Sequence, residues 1–161
     1  MMERIDKILN HHLFKNQLEL IEELEKNRSF CRHNLSHLLD VARIAMLLNL
    51  DENLNVEKEL IYGAALLHDI GRHAEYEKGT PHEQAGVQIA SKILVECGFE
   101  DKETSVILKA IAMHRDKDAV KEDSLMGILK RADQISRPCF ACKEKKACYW
   151  EEDRKNKSII W

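Results

Sequence analysis

Residues that interrupt helices are scarce in this sequence, which has two prolines and six glycines among 161 residues. Long apolar runs are missing too, since none approaches the roughly 20 residues that a helix needs to cross a bilayer. The chain opens on charged residues, Glu3 and Arg4, rather than on the apolar core of a signal peptide. We therefore expect a cytoplasmic protein with no membrane partner.

An excess of positive charge is also absent, because the formal net charge is -3 and the sequence pI is about 6.2. Proteins that hold a nucleic-acid backbone usually do so with a basic surface that displaces counterions. Long nucleic acid is therefore not an expected partner.

The composition that remains is that of a helical globular protein. Hydrophobic residues make up 44% of the chain and charged residues 33%, and the length suits one domain with its own core. With no internal repeat and no sustained strand alternation, the pattern predicts an all-α fold, a single compact domain of about six to eight helices. We expect an N-terminal covering helix or helices (1–28), a core (29–137) and a cysteine-containing extension packed on the same domain (138–161).

Local signals predict where these helices begin and end. Asn55 is expected to cap the third helix and Gly71 to end it in a left-handed conformation. Thr80 is expected to cap the fourth, with Pro81 in its first turn and Glu83 three residues after the cap. The predicted helices cover residues 3–27 (one helix or two), from between 31 and 36 to about 48, 55–71, 80–98, 101–114 and 124–136.

Histidine or aspartate lies on the apolar side of five of these helices. A buried polar group without a partner costs about 1 to 3 kcal/mol, so a single such histidine is usually a satisfied core residue. A set on successive helices instead favours one shared partner, and imidazole nitrogens and carboxylate oxygens coordinate divalent cations directly. The residues concerned are His37, His68, His82, His114 and Asp133.

Three segments carry a resemblance to a known family. They are residues 37–45 (HLLDVARIA), 64–72 (AALLHDIGR) and 131–133 (RAD). In this order, within a helical chain of this length, they resemble the HD superfamily of metal-dependent phosphohydrolases, over about residues 31–137. The resemblance implies a helical HD domain in which His37, His68, Asp69 and Asp133 bind one divalent metal, with Fe, Mn, Ni, Co, Zn and Mg all left open.

Some branches of that superfamily hold a second metal with two further histidine positions. His82, within the run HEQAG, looks like the first of them. His114 looks like the second, although it stands beside Arg115 where a histidine pair is usual. The resemblance thus implies a second site made by Asp69, His82 and His114, either weak or completed by substrate. For His82, the alternative to metal binding is a role as a helix-cap residue.

The activity that the resemblance implies is hydrolysis of a nucleotide or another small phosphoester by a metal-activated water. Asp69 would bind the metal and orient that water. Arg72 stands where two-metal relatives commonly carry a lysine near the scissile phosphate, so it is the preferred phosphate contact. Arg115 and Lys130 are further candidates, with simple solvation as the alternative.

Four cysteines predict a separate site. Two residues separate Cys139 from Cys142, and Cys148 follows after five more, a grouping that in a cytoplasmic protein favours metal or iron–sulfur ligation over disulfides. Cys31 precedes His37 by six residues and Cys139 follows Asp133 by six, so antiparallel helices would bring both to one end. Zinc, an iron–sulfur cluster, free thiols and disulfides formed on oxidation all stay open, whereas Cys97 is expected to pack as a small apolar residue.

Two other interpretations remain beside the enzyme. In one, the domain is a non-catalytic metal-binding or redox-sensing module whose cysteines report oxidation. In the other, residues 3–27 offer a partner surface on a helical scaffold. His33 is expected to be exposed or to support His37. Oligomeric state and substrate identity are left open by the sequence.

Overall fold

The computed structural model describes residues 2–121 and 123–160, without the side chains of residues 119 and 120. Its described part holds eight α-helices and no strand, so the predicted all-α fold is confirmed. The ends of the predicted outer segments, Met1 and Trp161, lie outside the described residues, and the three-part division stays a prediction. The helices are α1 (Glu3–Asn10), α2 (His12–Leu24), α3 (Leu35–Asp51), α4 (Lys58–Leu67), α5 (Arg72–Lys78), α6 (His82–Glu96), α7 (Asp101–Met113) and α8 (Leu125–Ile135).

The core forms where α3, α4, α7 and α8 pack on one another, with α6 against α7 and α5 against α6. Its side chains are mainly leucine, isoleucine and alanine, with Cys97 among them as predicted. Burial of such side chains, at roughly 25 cal/mol per Å² of apolar surface, drives this assembly. The largest fully buried side chains are Phe14, Ile8, Ile21, Leu38, Ile61, Leu66, Leu67, Ile70, Ile93, Leu94, Ile107 and Ile111.

The N-terminal segment forms two helices and is tied to the core by one arginine. Arg4, on α1, contacts Glu59 of α4 through Nε at 2.5 Å and Glu103 of α7 through Nη1 at 2.6 Å. Its guanidinium also lies 4.3 Å from the ring centroid of Phe99. A charged group with two carboxylate partners and an aromatic face fixes α1 across two core helices.

Two predicted helix caps were wrong. Helix α4 begins at Lys58, not near Asn55, and Asn55 itself adopts a left-handed φ of 57° in the preceding loop. Helix α6 begins at His82, with no side-chain hydrogen bond from a cap residue, so Thr80 does not cap it. Asparagine tolerates the left-handed region as well as it caps, which explains the first error.

Gly71 was also assigned the wrong role. Its φ is −88°, so it is not the left-handed end of α4, which stops at Leu67. A β-carbon at position 71 would instead lie 2.3 Å from the carbonyl oxygen of His82 and 2.4 Å from the amide nitrogen of Gly86. Glycine is needed here because two backbones meet. The short helix α5, which follows it, was not predicted.

The C-terminal segment returns to the end of α8. The Asn156 amide donates to three main-chain oxygens there, those of Gln134 at 2.8 Å, Ile135 at 3.1 Å and Arg137 at 2.7 Å. These carbonyls lie at and just beyond the end of α8, where the regular pattern of helical hydrogen bonds stops. The side chain therefore fixes this segment beside α8.

Candidate metal centre

Asp69 lies at the centre of the polar cluster. It follows α4 in a short turn and is 1% exposed. Its Oδ2 lies 3.2 Å from His68 Nε2 and 3.7 Å from His37 Nε2, and its Oδ1 lies 3.2 Å from His82 Nε2 and 3.9 Å from His114 Nε2. The two oxygens of one buried carboxylate therefore face two different pairs of imidazoles.

The first group contains the four residues that the sequence singled out. Ligand atoms of His37 (α3), His68, Asp69 and Asp133 (α8) all lie within 4.8 Å of one another. Asp133 Oδ1 is 3.3 Å from His37 Nε2 and 3.8 Å from His68 Nε2. Because metal–ligand bonds of about 2.0–2.3 Å put opposite ligand atoms somewhat over 4 Å apart, the group has the size of a single-ion site.

Unsatisfied polar atoms support that fit. His68 Nδ1 donates to Ala65 O at 2.7 Å, while its Nε2 and both oxygens of Asp69 are buried with no hydrogen-bond partner. Buried polar groups are otherwise nearly always paired. A divalent cation among these atoms would remove the cost of leaving them unpaired.

The second group joins Asp69, His82 and His114, again within 4.8 Å. His82 Nδ1 donates to Glu75 Oε2 and His114 Nδ1 donates to Ile111 O, each at 2.6 Å. In the neutral rings both Nε2 atoms then carry lone pairs, and they lie only 3.1 Å apart. Two facing lone pairs repel unless a proton or a cation lies between them. The side chain of His82 thus belongs to this group and caps no helix.

Two arginines touch the same ligand atoms. Arg137 donates through Nη2 to His37 Nε2 at 2.9 Å and to Asp133 Oδ1 at 3.0 Å. Arg72 places Nε 2.9 Å from Asp69 Oδ1, yet this N–H has no hydrogen-bond acceptor, so the contact is an ion pair of poor angle. Cation binding would replace the Arg137 contacts with shorter metal bonds. The part played by Arg137 was missed in the sequence, because nothing in its spacing marked it.

The charge states follow from these contacts. Burial would raise the pKa of Asp69, but Arg72 and His68 hold it well below its usual range. Burial would lower the pKa of His68, but Asp69 and Asp133 raise it to about 10. Burial, together with the charge of His68, lowers the pKa of His114 to about 4. The carboxylates are thus ionised at neutral pH and available to a cation.

A third set of polar residues borders the first group, and the sequence gave it little weight. His33 is buried at 4% exposure, which overturns its expected solvent exposure. Glu25 accepts from the His33 main-chain N–H at 2.7 Å and from its Nδ1, and Tyr76 donates to the same carboxylate at 2.5 Å. Glu25 and Tyr76 are 51 residues apart, so no local pattern could have paired them.

The predicted phosphate contacts differ in setting. Arg72 is largely buried beside Asp69, and its Nη1 lies 3.7 Å from Glu75. Arg115 is about half exposed and pairs with Glu75 at 3.1 Å. Lys130 is partly buried, and burial lowers its pKa. Of these three side chains, Arg72 is the one that contacts the ligand cluster directly.

The cysteines of the predicted second cofactor site are all free thiols. Their neighbourhoods converge, since Phe30 and Tyr149 have ring centroids 6.1 Å apart and Arg137 Nη1 reaches Arg32 O at 3.5 Å. Burial raises the pKa of the Cys31 thiol, and the other three cysteines add to it. Within the described chain, however, no ligand group of 4.8 Å or less contains Cys31, Cys139, Cys142 or Cys148. The cysteine site stays a prediction.

Among the described residues, no helix combines the length and the apolar character that crossing a bilayer requires.

Comparison with known proteins identifies the family of this chain. The HD domain model matches residues 34–137. An uncharacterized protein of Clostridium beijerinckii is 42% identical over 99% of this chain and 100% of its own length. Ribonuclease Y of Mesoplasma florum is 32% identical over 82% of this chain, which spans 24% of that protein.

Ribonuclease Y 1 of Pediococcus pentosaceus is similar to the same extent, at 34% identity over 76% of this chain and 21% of its own length. The chain therefore spans about a quarter of these ribonucleases. A crystal structure of a predicted HD superfamily hydrolase from an uncultured Thermotogales bacterium superposes with a TM-score of 0.62 at 28% identity, covering 88% of this chain and 80% of that one. The chain belongs to the HD domain family.

Proposed function

We propose that this protein is a metal-dependent phosphohydrolase that acts on a nucleotide or another small phosphoester. The observation that carries the proposal is the position of Asp69, a buried carboxylate with both oxygens free of hydrogen bonds and each facing a pair of imidazoles. In the first group, His37, His68, Asp69 and Asp133 would hold the cation. A bound cation supplies a Lewis acid that activates water and draws charge from the phosphoryl oxygens.

The protein's own residues would orient the reaction. His68 is held by Ala65 O and His82 by Glu75, so both rings present Nε2 in a fixed direction. Asp69, ionised and buried between them, would orient the attacking water along one face of the substrate phosphate. Side chains fixed in this way lose little entropy when substrate binds.

Arg72 would bind the substrate phosphate. Its Nε lies 2.9 Å from Asp69 Oδ1 but has no hydrogen-bond acceptor, so a phosphoryl oxygen would gain an unused donor next to the cluster. A guanidinium also matches the geometry of phosphate oxygens. Arg115 and Lys130 would contribute at the rim.

The second group would bind a further cation more weakly. Asp69, His82 and His114 give one carboxylate oxygen and two imidazoles, fewer ligands than the first group has. Arg72 also contacts the oxygen that this cation would need. We propose that the substrate phosphate binds Arg72, moves it away from Asp69 Oδ1, and so completes this second site.

The substrate class is proposed as small because the net charge of -3 offers no basic field for a long phosphate backbone. Ribonuclease Y is named for action on RNA, but this chain matches only about a quarter of those proteins. A cytoplasmic location remains an expectation of the sequence.

The test is to purify the protein without chelator, measure its bound metals, and assay nucleotides, other phosphoesters and a short RNA with manganese, iron, cobalt and nickel. Asp69→Asn should lose bound metal and turnover, while Asp40→Asn, which changes an exposed aspartate on α3, should keep both. Bound metal without turnover of any substrate would favour the non-catalytic sensing module. Neither metal nor turnover would refute the proposal.

A further inference from the structure

His33 resembles the histidines of the metal centre in its burial and its hydrogen bonding, although neither the family motif nor the four-residue group includes it. It lies in the segment between α2 and α3, is 4% exposed, and turns its Nε2 towards Asp69 Oδ2 at 3.9 Å. Its ring stands nearly perpendicular to that of His37, with centroids 5.7 Å apart. The ring therefore forms part of the wall around the cation position.

The hydrogen bonding of His33 follows the pattern of three other cluster histidines, His68, His82 and His114. In each of four rings Nδ1 is engaged by an oxygen acceptor while Nε2 faces an oxygen of Asp69. The acceptors are Glu25 for His33, Ala65 O for His68, Glu75 for His82 and Ile111 O for His114. A donor Nδ1 fixes the neutral ring in the tautomer whose Nε2 carries the lone pair. Each of these rings, once neutral, therefore offers a lone pair to the centre, and His68, whose pKa is raised to about 10, would release a proton when a cation binds.

The distance from His33 to Asp69 matches that of His37, although no group of ligand atoms within 4.8 Å of one another includes His33. His37 Nε2 lies 3.7 Å from Asp69 Oδ2, and His33 Nε2 lies 3.9 Å from the same oxygen. The difference is far smaller than the movement that a side chain makes within one rotamer well. Asp69 Oδ2 is thus surrounded by Nε2 atoms of His33, His37 and His68.

More hydrogen bonds fix the orientation of His33 than a buried histidine needs to satisfy its polar atoms. Glu25 is 2% exposed and accepts both the main-chain N–H and the Nδ1–H of His33, while Tyr76 of α5 donates to it as well. A carboxylate behind an imidazole is the arrangement that orients metal-binding histidines and increases their basicity.

We propose that His33 is a further ligand of the cation held by His37, His68, Asp69 and Asp133, and that Glu25 and Tyr76 orient it. The inference rests on the proposed function only in requiring that this group binds a cation. It assigns two residues to the metal centre, Glu25, which directly follows α2, and Tyr76 of α5.

The first experiment measures metal affinity rather than turnover. The dissociation constants of Mn²⁺ and Co²⁺ are determined by competition with a chelator for the wild type, His33→Gln, Glu25→Gln and the control His12→Gln, which changes an exposed histidine. His33→Gln should weaken binding by about 10- to 100-fold and Glu25→Gln by about 10-fold, the usual cost of removing such groups. His12→Gln should leave the constant unchanged.

A second measurement on the wild type applies even if His33→Gln does not fold. With one equivalent of Co²⁺ bound, imidazoles that coordinate through Nε2 show strongly shifted, solvent-exchangeable Nδ1–H resonances. Three such signals, from His33, His37 and His68, support the inference, and two overturn it. An unchanged dissociation constant in a folded His33→Gln protein also overturns it while leaving the proposed function intact, whereas a wild type that binds no cation refutes both.

Discussion

Arg137 donates a hydrogen bond through Nη2 to Nε2 of His37 over 2.9 Å, engaging the nitrogen that a metal would need. The same Nη2 lies 3.0 Å from Asp133 Oδ1, another ligand atom. A guanidinium and a divalent cation therefore compete for two of the four positions in the first group. Arg137 therefore stabilises the partly buried carboxylate of Asp133 and also competes with metal binding.

Replacing this arginine should move metal affinity and stability in opposite directions. We expect Arg137→Gln to tighten Mn²⁺ binding about 10-fold or more, because unit charges 4 Å apart interact by about 4 kcal/mol at an effective dielectric of 20. Without metal, the free energy of unfolding of the variant should fall by about 1 to 3 kcal/mol, because Asp133 and the main-chain oxygen of Arg32 lose a hydrogen-bond donor. Calorimetric titration and denaturant unfolding measure the two effects. Weaker Mn²⁺ binding in a folded variant would contradict the competition.

Removing metal should lower thermal stability. A ligand at 100 times its dissociation constant stabilises the native state by about 2.7 kcal/mol, so excess chelator should lower the Tm of the loaded protein by several degrees. His68→Ala should melt at the same temperature with and without added Mn²⁺, because it removes a ligand that is fully buried in the first group. An equal Mn²⁺ effect in that variant would show that the stabilising ion binds elsewhere.

The contact between Gly71 and α6 should make position 71 intolerant of any side chain. Gly71→Ala places a β-carbon 2.3 Å from His82 O, so α5 and α6 must separate and His82 must move, at a cost of about 1 to 3 kcal/mol. Gly86→Ala is the matched control, because its β-carbon would meet neighbours no closer than 3.6 Å. Denaturant unfolding should show a large loss for the first and a small change for the second. Equal losses would mean that the close approach is not the cause.

Arg4 should make stability depend on pH in the acid range. Hydrogen bonding to Arg4 lowers the pKa of Glu103 below its usual 4.5, so the folded state binds fewer protons than the unfolded state. The resulting stabilisation is present above the usual pKa and is lost as pH falls through the folded value. Arg4→Met should cost about 1 to 2 kcal/mol at pH 7 and flatten the decline between pH 6 and pH 3.

Lys7→Met is the control for that experiment. Lys7 forms an exposed pair with Glu3 within α1, and such surface pairs contribute about 0 to 1 kcal/mol. Its stability should follow the wild type at every pH. A decline in Arg4→Met as steep as in the wild type would assign the acid sensitivity to other carboxylates.

Some features of the site could be predicted because they follow from the spacing of apolar residues along a single helix. His37 shares the helical face of Val41 and Ala45, and His68 follows the face of Ala64 and Ala65, so burial of those faces also buries the imidazoles. That reasoning works for any residue whose burial is decided by its own helix. It led to His37, His68, His82, His114 and Asp133, whereas Asp69, the residue that both ligand groups share, came from the resemblance to the HD superfamily.

Local rules failed where a second segment decides the outcome. Gly71, which has no side chain, and Asn55 both suit several backbone conformations. The conformation was decided by the contact with α6 for Gly71 and by the start of α4 for Asn55. Helix α5, at seven residues, is too short for its periodicity to stand out. His33 looked like an exposed residue, because its burial depends on Glu25 and Tyr76.

By itself, the sequence determined that the chain is helical, which faces are apolar and which imidazoles and carboxylates lie on them, since each of these follows from the spacing of residues along one helix. Only the tertiary structure decided that both oxygens of Asp69 face histidines, that Arg72 and Arg137 reach the same ligand atoms, and that Glu25 orients His33. The physical reason is that these contacts join segments far apart in the chain, and their partners are selected by packing and by the cost of leaving buried charge unpaired.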